Sequence, residues 1–119
     1  MDMNQIEAMV RASLAQASAG QEIERSKIDF KETWYNLKKD EEANEFVKDS
    51  SAIVNSYGPD GFIVIGFSIS KKSYKPAKFK DCGLRDVSDL VDILSSRLSE
   101  PFSIDVIDEV LQPPFFRIN

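Results

Sequence analysis

The chain has 119 residues, a hydrophobic content of 42% and a formal net charge of −5 at pH 7. This length and composition predict one soluble globular domain with its own core. The sequence holds one cysteine, Cys82, and no histidine, which excludes an intrachain disulfide, a His-containing zinc site and His-based acid/base catalysis. Any catalysis would therefore use carboxylates, lysines or hydroxyls.

The first segment predicts a helix over residues 2 to 18, because its apolar residues recur at helical spacing. Acidic and basic residues stand among them, which fits neither a secretory signal nor a membrane span. We therefore expect a cytoplasmic protein without a membrane partner.

A strand is predicted over residues 27 to 34, where side-chain character alternates with period two. Asp29 and Lys31 then share one face of this strand, and Glu24 precedes it in a polar loop. Two carboxylates so placed can bind a divalent cation such as magnesium, and a lysine beside them suits a phosphate. The residues also fit a plainer interpretation, in which Asp29 and Lys31 are solvated neighbours on a half-exposed strand.

The middle of the chain predicts a helix over residues 41 to 56, which begins with acidic residues where the helix dipole favours them. A turn over residues 58 to 61 follows, and then an apolar run over residues 62 to 70 that is typical of a central, doubly buried strand. Gly66 relieves crowding within that strand. No glycine-rich nucleotide-binding motif is present.

Residues 71 to 80, "KKSYKPAKFK", are called the lysine segment; they hold five lysines and no acidic residue. We expect an exposed loop or hairpin. One interpretation is a nucleic-acid contact, in which ammonium groups meet phosphates and an aromatic ring stacks on a base. The alternative is a solvated hairpin that Tyr74 and Phe79 anchor to the domain. The predicted nucleic-acid contacts are Lys31, Lys71, Lys72, Tyr74, Lys75, Lys78 and Lys80.

The last predicted elements are a helix over residues 86 to 99, ended by a proline, and a strand over residues 102 to 110. All strands are expected in one mixed sheet with the helices packed on it, which makes an α+β fold. The predicted core consists of Phe46, Ile53, Ile63, Ile65, Leu90 and Leu94. Trp34, Tyr35 and Phe115 are expected in the core or in subunit contacts, and Cys82 is expected to be a buried, inert side chain.

The order of these pieces resembles the Schlafen AlbA-like domain, a DNA-binding domain family found in many bacterial proteins. The resemblance rests on "ERSKIDFKE" as the entry strand and on "FVKDSSAIVNSYGPDGFIVIGFS" as the helix, glycine turn and strand. It continues with "LVDILSSRLSEPFSIDV" as the next helix, proline and strand. It covers residues 20 to about 110 and implies an α+β fold that binds nucleic acid.

In the nuclease branch of that family, three carboxylates form a metal-dependent RNA-cleaving site. The resemblance places the first two at Glu24 and Asp29, which are the candidate catalytic and metal-binding residues. The third position falls at Ser68, where a hydroxyl cannot supply the missing charge. The paired glycines of the family's turn are also separated here by Pro59 and Asp60.

We therefore expect a nucleic-acid-binding module without a cofactor, with a metal-dependent nuclease as the alternative, in which a divalent cation would be needed. A third possibility is an oligomerisation module of a larger enzyme. The expected organisation is an N-terminal helix at 1–19, the binding domain at 20–112 and the start of a downstream segment at 113–119. The expected partners are DNA or RNA, a second copy of the chain, and the downstream domain of a longer regulatory or defence protein.

Overall fold

The computed structural model describes residues 3–18, 28–55, 61–108 and 111. The helices are α1 (Met3–Ser18), α2 (Asp40–Asn55) and α3 (Ser88–Arg97). The strands are β1 (Ile28–Lys31), β2 (Phe62–Ile65), β3 (Phe67–Ser68) and β4 (Ser73–Tyr74), and a 3₁₀ turn covers Phe79–Cys82. The described residues thus form a small α+β domain with three helices and two two-stranded sheets.

The three predicted helices are confirmed, with boundaries that differ by one or two residues from the predicted ones. Helix α2 begins with Asp40, Glu41 and Glu42, whose carboxylates lie where the helix dipole favours negative charge. Its apolar residues face the core at helical spacing. None of the described helices is both long enough and apolar enough to cross a membrane.

The single mixed sheet is replaced in the described residues by two separate sheets. Strands β1 and β2 pair in parallel, with Asp29 opposite Ile63. Strands β3 and β4 pair antiparallel as a hairpin, with Phe67 opposite Tyr74. The strand predicted over residues 62 to 70 is divided at Gly66, whose positive φ of 107° lets the chain turn from β2 into the hairpin.

The prediction of a strand over residues 102 to 110 is also wrong for the residues that the structure describes there, because residues 102–108 form no strand. Burial along this segment still alternates, and Phe102, Ile104 and Val106 pack against the main core. Side-chain packing therefore positions the segment without strand pairing. Among the described residues β2 therefore has a single neighbouring strand, and its residues are half-buried rather than doubly buried.

The described residues form a core with two parts. The first lies between α2, α3 and the 3₁₀ turn, and its buried members are Tyr35, Leu37, Phe46, Val47, Phe79, Cys82, Leu90 and Leu94. The second joins α1 to the hairpin through Val10, Leu14 and Phe67, with Phe30, Val64 and Tyr74 packed against it.

Most of the predicted core residues lie in or against the first part. Phe46, Leu90 and Leu94 are buried members of it, and Ile63 packs against it. Ile53 is buried outside both parts, and Ile65 is only half-buried. Tyr35 is a buried member of the first part and Trp34 packs against it, as expected, whereas Phe115 is outside the described residues.

Candidate functional site

A polar cluster of four side chains, called the Lys31 cluster, lies where β1 meets α2. The ammonium nitrogen of Lys31 is 3.4 Å from Asp29 Oδ2 and 3.3 Å from Asp49 Oδ2. The Tyr35 hydroxyl donates a hydrogen bond of 2.7 Å to Asp49 Oδ2. The same ammonium lies 5.8 Å from the centroid of the Tyr35 ring, within the range of a cation–π contact. The cluster is therefore one connected network.

Asp49 is the member of this cluster that the sequence analysis missed. It follows Phe46 by three residues and precedes Ile53 by four, and both of these are buried on α2. An acid at that spacing lies on the face that the helix turns towards the domain. The signal was therefore present as an acidic residue within an apolar stripe, but the partner strand could not be identified from α2 alone.

Burial and charge act in opposite directions on Lys31. Burial by itself lowers the pKa of Lys31, but the carboxylates of Asp29 and Asp49 together outweigh it and raise the pKa above 10.5. The ammonium group therefore stays charged and occupies the space between the two acids. Its charge is balanced within the domain, which leaves Lys31 a poorer phosphate ligand than the sequence suggested.

The predicted metal site is only partly described. Glu24 lies outside the described residues, and Asp29 is paired with Lys31. No group of three or more acidic or thiol side chains suited to a metal ion occurs in the described part of the chain. At the third family position, the buried Ser68 hydroxyl accepts a 3.3 Å hydrogen bond from the Lys71 backbone N–H. Its role there is to shape the hairpin turn.

The lysine segment contains β4 and runs into the 3₁₀ turn, so the predicted hairpin or loop is confirmed. The turn between β3 and β4 is closed by a 3.3 Å hydrogen bond from Lys72 N–H to Ile69 O. Lys72 adopts a φ of 49°, in the left-handed region. All five lysines of the segment are exposed, which leaves their ammonium groups accessible to a partner.

Both aromatic rings of the lysine segment pack inward. Tyr74 stacks on Phe67 with a centroid distance of 4.5 Å and an interplanar angle of 22°. Phe79 is 9% exposed and meets the edge of Trp34 at 5.7 Å. The two rings therefore anchor the segment near its middle and near its end, and its lysines are more exposed than its rings.

Three carboxylates lie beside the lysine segment although none is part of it. Glu32 pairs with Lys71 at 3.3 Å. Asp81 Oδ2 accepts a 2.9 Å hydrogen bond from the Lys78 backbone N–H, and Asp108 Oδ1 accepts one of 3.2 Å from the Phe79 backbone N–H. The other four lysines form no ion pair with a described residue. The local positive charge is therefore smaller than the five lysines alone suggest.

An open groove of about 640 Å³ lies between β2 and residues 102–108. Most of its lining side chains are apolar, and the buried Ser50 hydroxyl on its wall has no hydrogen-bond partner among the described residues. Such a lining suits an apolar occupant rather than a phosphate. Tyr74 and Ala77 of the lysine segment line the groove, but none of the segment's five lysines does.

The Lys31 cluster leads to a prediction about alkaline stability. Burial, followed by the hydrogen bond to Asp49, raises the pKa of Tyr35 far above its ordinary 10.0. Burial likewise raises the pKa of the Cys82 thiol above 9.0. A raised pKa contributes stability that is fully present below the ordinary value and is lost as pH rises through the folded value. We expect the free energy of unfolding to fall above about pH 9.

Tyr35→Phe should remove the tyrosine share of that fall and cost about 1–2 kcal/mol at neutral pH through the lost hydrogen bond. Urea unfolding over a pH series measures both effects. Tyr74→Phe, which alters a tyrosine outside the cluster, is the control. An alkaline fall as steep in Tyr35→Phe as in the parent would contradict this account.

The resemblance to the Schlafen AlbA-like domain rests on the three sequence motifs and stays a prediction. The contacts of the Lys31 cluster and the exposure of the lysine segment do not depend on that resemblance. Comparison of the chain with protein-family models, with curated proteins and with solved structures gives no match.

Proposed function

We propose that this chain is a nucleic-acid-binding module that uses the lysine segment as its contact surface. The observation that carries the proposal is that all five lysines are exposed on one hairpin and the turn after it. Ammonium groups on such a surface can replace the counterions of phosphates. The packed rings of Tyr74 and Phe79 support the proposal, because they fix the backbone from which the lysines extend.

We also propose that the domain is of the Schlafen AlbA-like kind. The three motifs support this, and the described residues form an α+β domain of the class that the resemblance implies. A domain of that kind would be one module of a longer regulatory or defence protein. The binding proposal does not depend on this finer assignment.

The charge balance predicts weak binding. The whole chain carries a net charge of −5, and Glu32, Asp81 and Asp108 lie beside the lysines. Of the five lysines, only Lys71 is paired with a described acid. If the other four each contact a phosphate, the logarithm of the binding constant falls with the logarithm of salt concentration with a slope of about −3.6.

The Lys31 cluster favours binding without cleavage. Metal-assisted phosphodiester cleavage requires a cation held by fixed oxygens. Here the Lys31 ammonium lies between the two carboxylates that the fold brings together, Asp29 and Asp49. A cation would have to displace it, at the cost of both ion pairs. The nuclease alternative is therefore less well supported than binding.

The test is a titration of labelled nucleic acid with the purified chain, followed by fluorescence anisotropy across a salt series, with a gel for strand integrity. We expect weak binding that falls about a hundredfold between about 50 and 200 mM salt, and intact RNA and DNA in magnesium or manganese. Cleavage that an Asp29→Ala, Asp49→Ala double variant abolishes would instead establish the nuclease. Absence of binding at low salt, together with a dimer in light scattering, would favour an oligomerisation module.

A further inference from the structure

None of the aromatic side chains in the described residues is exposed. The exposed large hydrophobic side chains there are aliphatic: Val54, Val91 and Ile107. Within the lysine segment, one face of Tyr74 is covered by Phe67, and Phe79 is buried against Trp34. In the described part of the chain, the lysines therefore have no exposed ring beside them to receive an unpaired base.

We propose that the lysine segment binds paired nucleic acid through its phosphates and does not take up unpaired bases. This inference rests on the nucleic-acid-binding function proposed above and names the form of nucleic acid that it selects. It depends on the covered rings and the exposed ammonium groups together. The ammonium groups attract phosphates, and the covered rings withhold the base stacking that would favour a single strand.

Single strands are normally bound by stacking their bases on aromatic side chains. Each stacked base contributes about fivefold to more than a hundredfold in affinity. A surface that offers only ammonium groups forgoes this contribution entirely. What remains is counterion release from phosphates, which is stronger for a duplex than for a single strand because the duplex carries its charges more densely.

The size of the preference follows from the number of phosphate contacts. Four lysines of the segment form no ion pair with a described residue. With one phosphate each, the difference in counterion release favours the duplex by about tenfold at about 50 mM salt. The extended stretch from Lys75 to Lys78 spans up to about 10 Å, so these lysines reach different phosphates along a backbone.

Freeing a ring for stacking would have a structural cost. The face of Tyr74 that stacks on Phe67 could meet a base only if the ring left Phe67, and that contact joins the hairpin to the second part of the core. Phe79 could do so only by leaving the first part of the core. Neither ring can therefore move outward without loosening the hairpin that carries the lysines.

The experiment compares three labelled ligands with the same number of phosphates: a duplex, an unstructured single strand, and that single strand with abasic positions. We expect the duplex to bind about tenfold tighter than the single strand, and removal of the bases to leave single-strand affinity unchanged within about twofold. A Tyr74→Leu variant, checked for folding by circular dichroism, should keep the parent's ratio of duplex to single-strand affinity.

Two results would overturn the inference while leaving the proposed function in place. They are equal or tighter binding of the intact single strand, and a loss of affinity when its bases are removed. A Tyr74→Leu variant that weakens single-strand binding alone would identify Tyr74 as a stacking residue and overturn it in the same way. If none of the three ligands binds at low salt, the proposed function fails and this inference fails with it.

Discussion

Charge reversal of the lysine segment, with all five lysines changed to glutamate, is expected to abolish nucleic-acid binding. The five side chains are exposed, so the change replaces attraction to phosphates by repulsion and leaves the core untouched. The hydrogen bonds that shape the segment use the backbone N–H groups of Lys71, Lys72, Lys75 and Lys78, which the substitutions retain. Fluorescence anisotropy at low salt measures the effect. Binding as tight as that of the parent would show that the lysine segment is a solvated hairpin without a role in binding.

A control for this experiment is Glu32→Gln, which changes charge in the opposite direction. The Glu32 carboxylate pairs with Lys71 at 3.3 Å, and both side chains are exposed. Removing it releases the Lys71 ammonium for a phosphate, so the slope of log affinity against log salt should steepen by about 0.9. Because exposed ion pairs contribute little to stability, the free energy of unfolding should hardly change. A slope that stays constant would show that Lys71 does not contact a phosphate.

The backbone conformation of Lys72 restricts which residues can replace it. Its φ of 49° lies in the left-handed region, which asparagine tolerates better than other non-glycine residues. A second variant with Lys72→Asn and four Lys→Gln changes therefore removes the charges without adding acids or strain. We expect its affinity to lie between those of the parent and the reversed variant. Equal affinities for the parent and this neutral variant would show that the charges of the five lysines do not contribute to nucleic-acid binding.

Local features of the fold could be predicted from the sequence, because helical spacing and turn residues are properties of neighbouring positions. The helices over residues 40–55 and 88–97 follow from apolar periodicity in this way. The exposure of the lysine segment likewise follows from its composition. These predictions needed no knowledge of which distant residues meet.

The remaining features depend on contacts between distant residues. Asp49 meets Lys31 across 18 positions, and Asp108 accepts from the Phe79 N–H across 29. Neither partner could be assigned from a local pattern. The alternating segment over residues 102–108 shows the same limit, because its period-two pattern predicts strand pairing although it reflects packing on one side. Periodicity identifies the buried face of a segment but not what lies beside its backbone.

Gly66→Ala is expected to destabilise the domain by about 3–4 kcal/mol and to weaken nucleic-acid binding with it. Gly66 adopts a φ of 107°, which disfavours any residue with a Cβ. A Cβ there would also stand 2.6 Å from the Lys75 carbonyl oxygen and 3.2 Å from Tyr74 Cε1. Since the nearest of these atoms belongs to the backbone, the hairpin itself must shift.

The position of Gly66 explains why the effect should reach the lysine segment. Its N–H donates to the Lys31 carbonyl at 2.7 Å, and its own carbonyl accepts from the Lys75 N–H at 2.8 Å. Gly66 therefore joins β1 and the Lys31 cluster to the lysine segment at Lys75, directly after β4. Moving Lys75 away from Gly66 breaks that connection, so the lysines lose the fixed backbone on which their spacing depends.

Gly83→Ala is the matched control for the second prediction. Gly83 also has a positive φ, of 92°, but the three atoms nearest to an added Cβ there belong to the side chain of Lys38, the closest at 3.1 Å. That flexible side chain can move aside, so Gly83→Ala should cost only the conformational strain, about 1–2 kcal/mol. Urea unfolding gives the two free energies, and anisotropy gives the two affinities. Gly66→Ala should lose both stability and binding, whereas Gly83→Ala should keep the affinity of the parent. Equal losses of stability in the two variants would mean that backbone strain alone explains Gly66, and that the contact with Lys75 does not hold the hairpin in place.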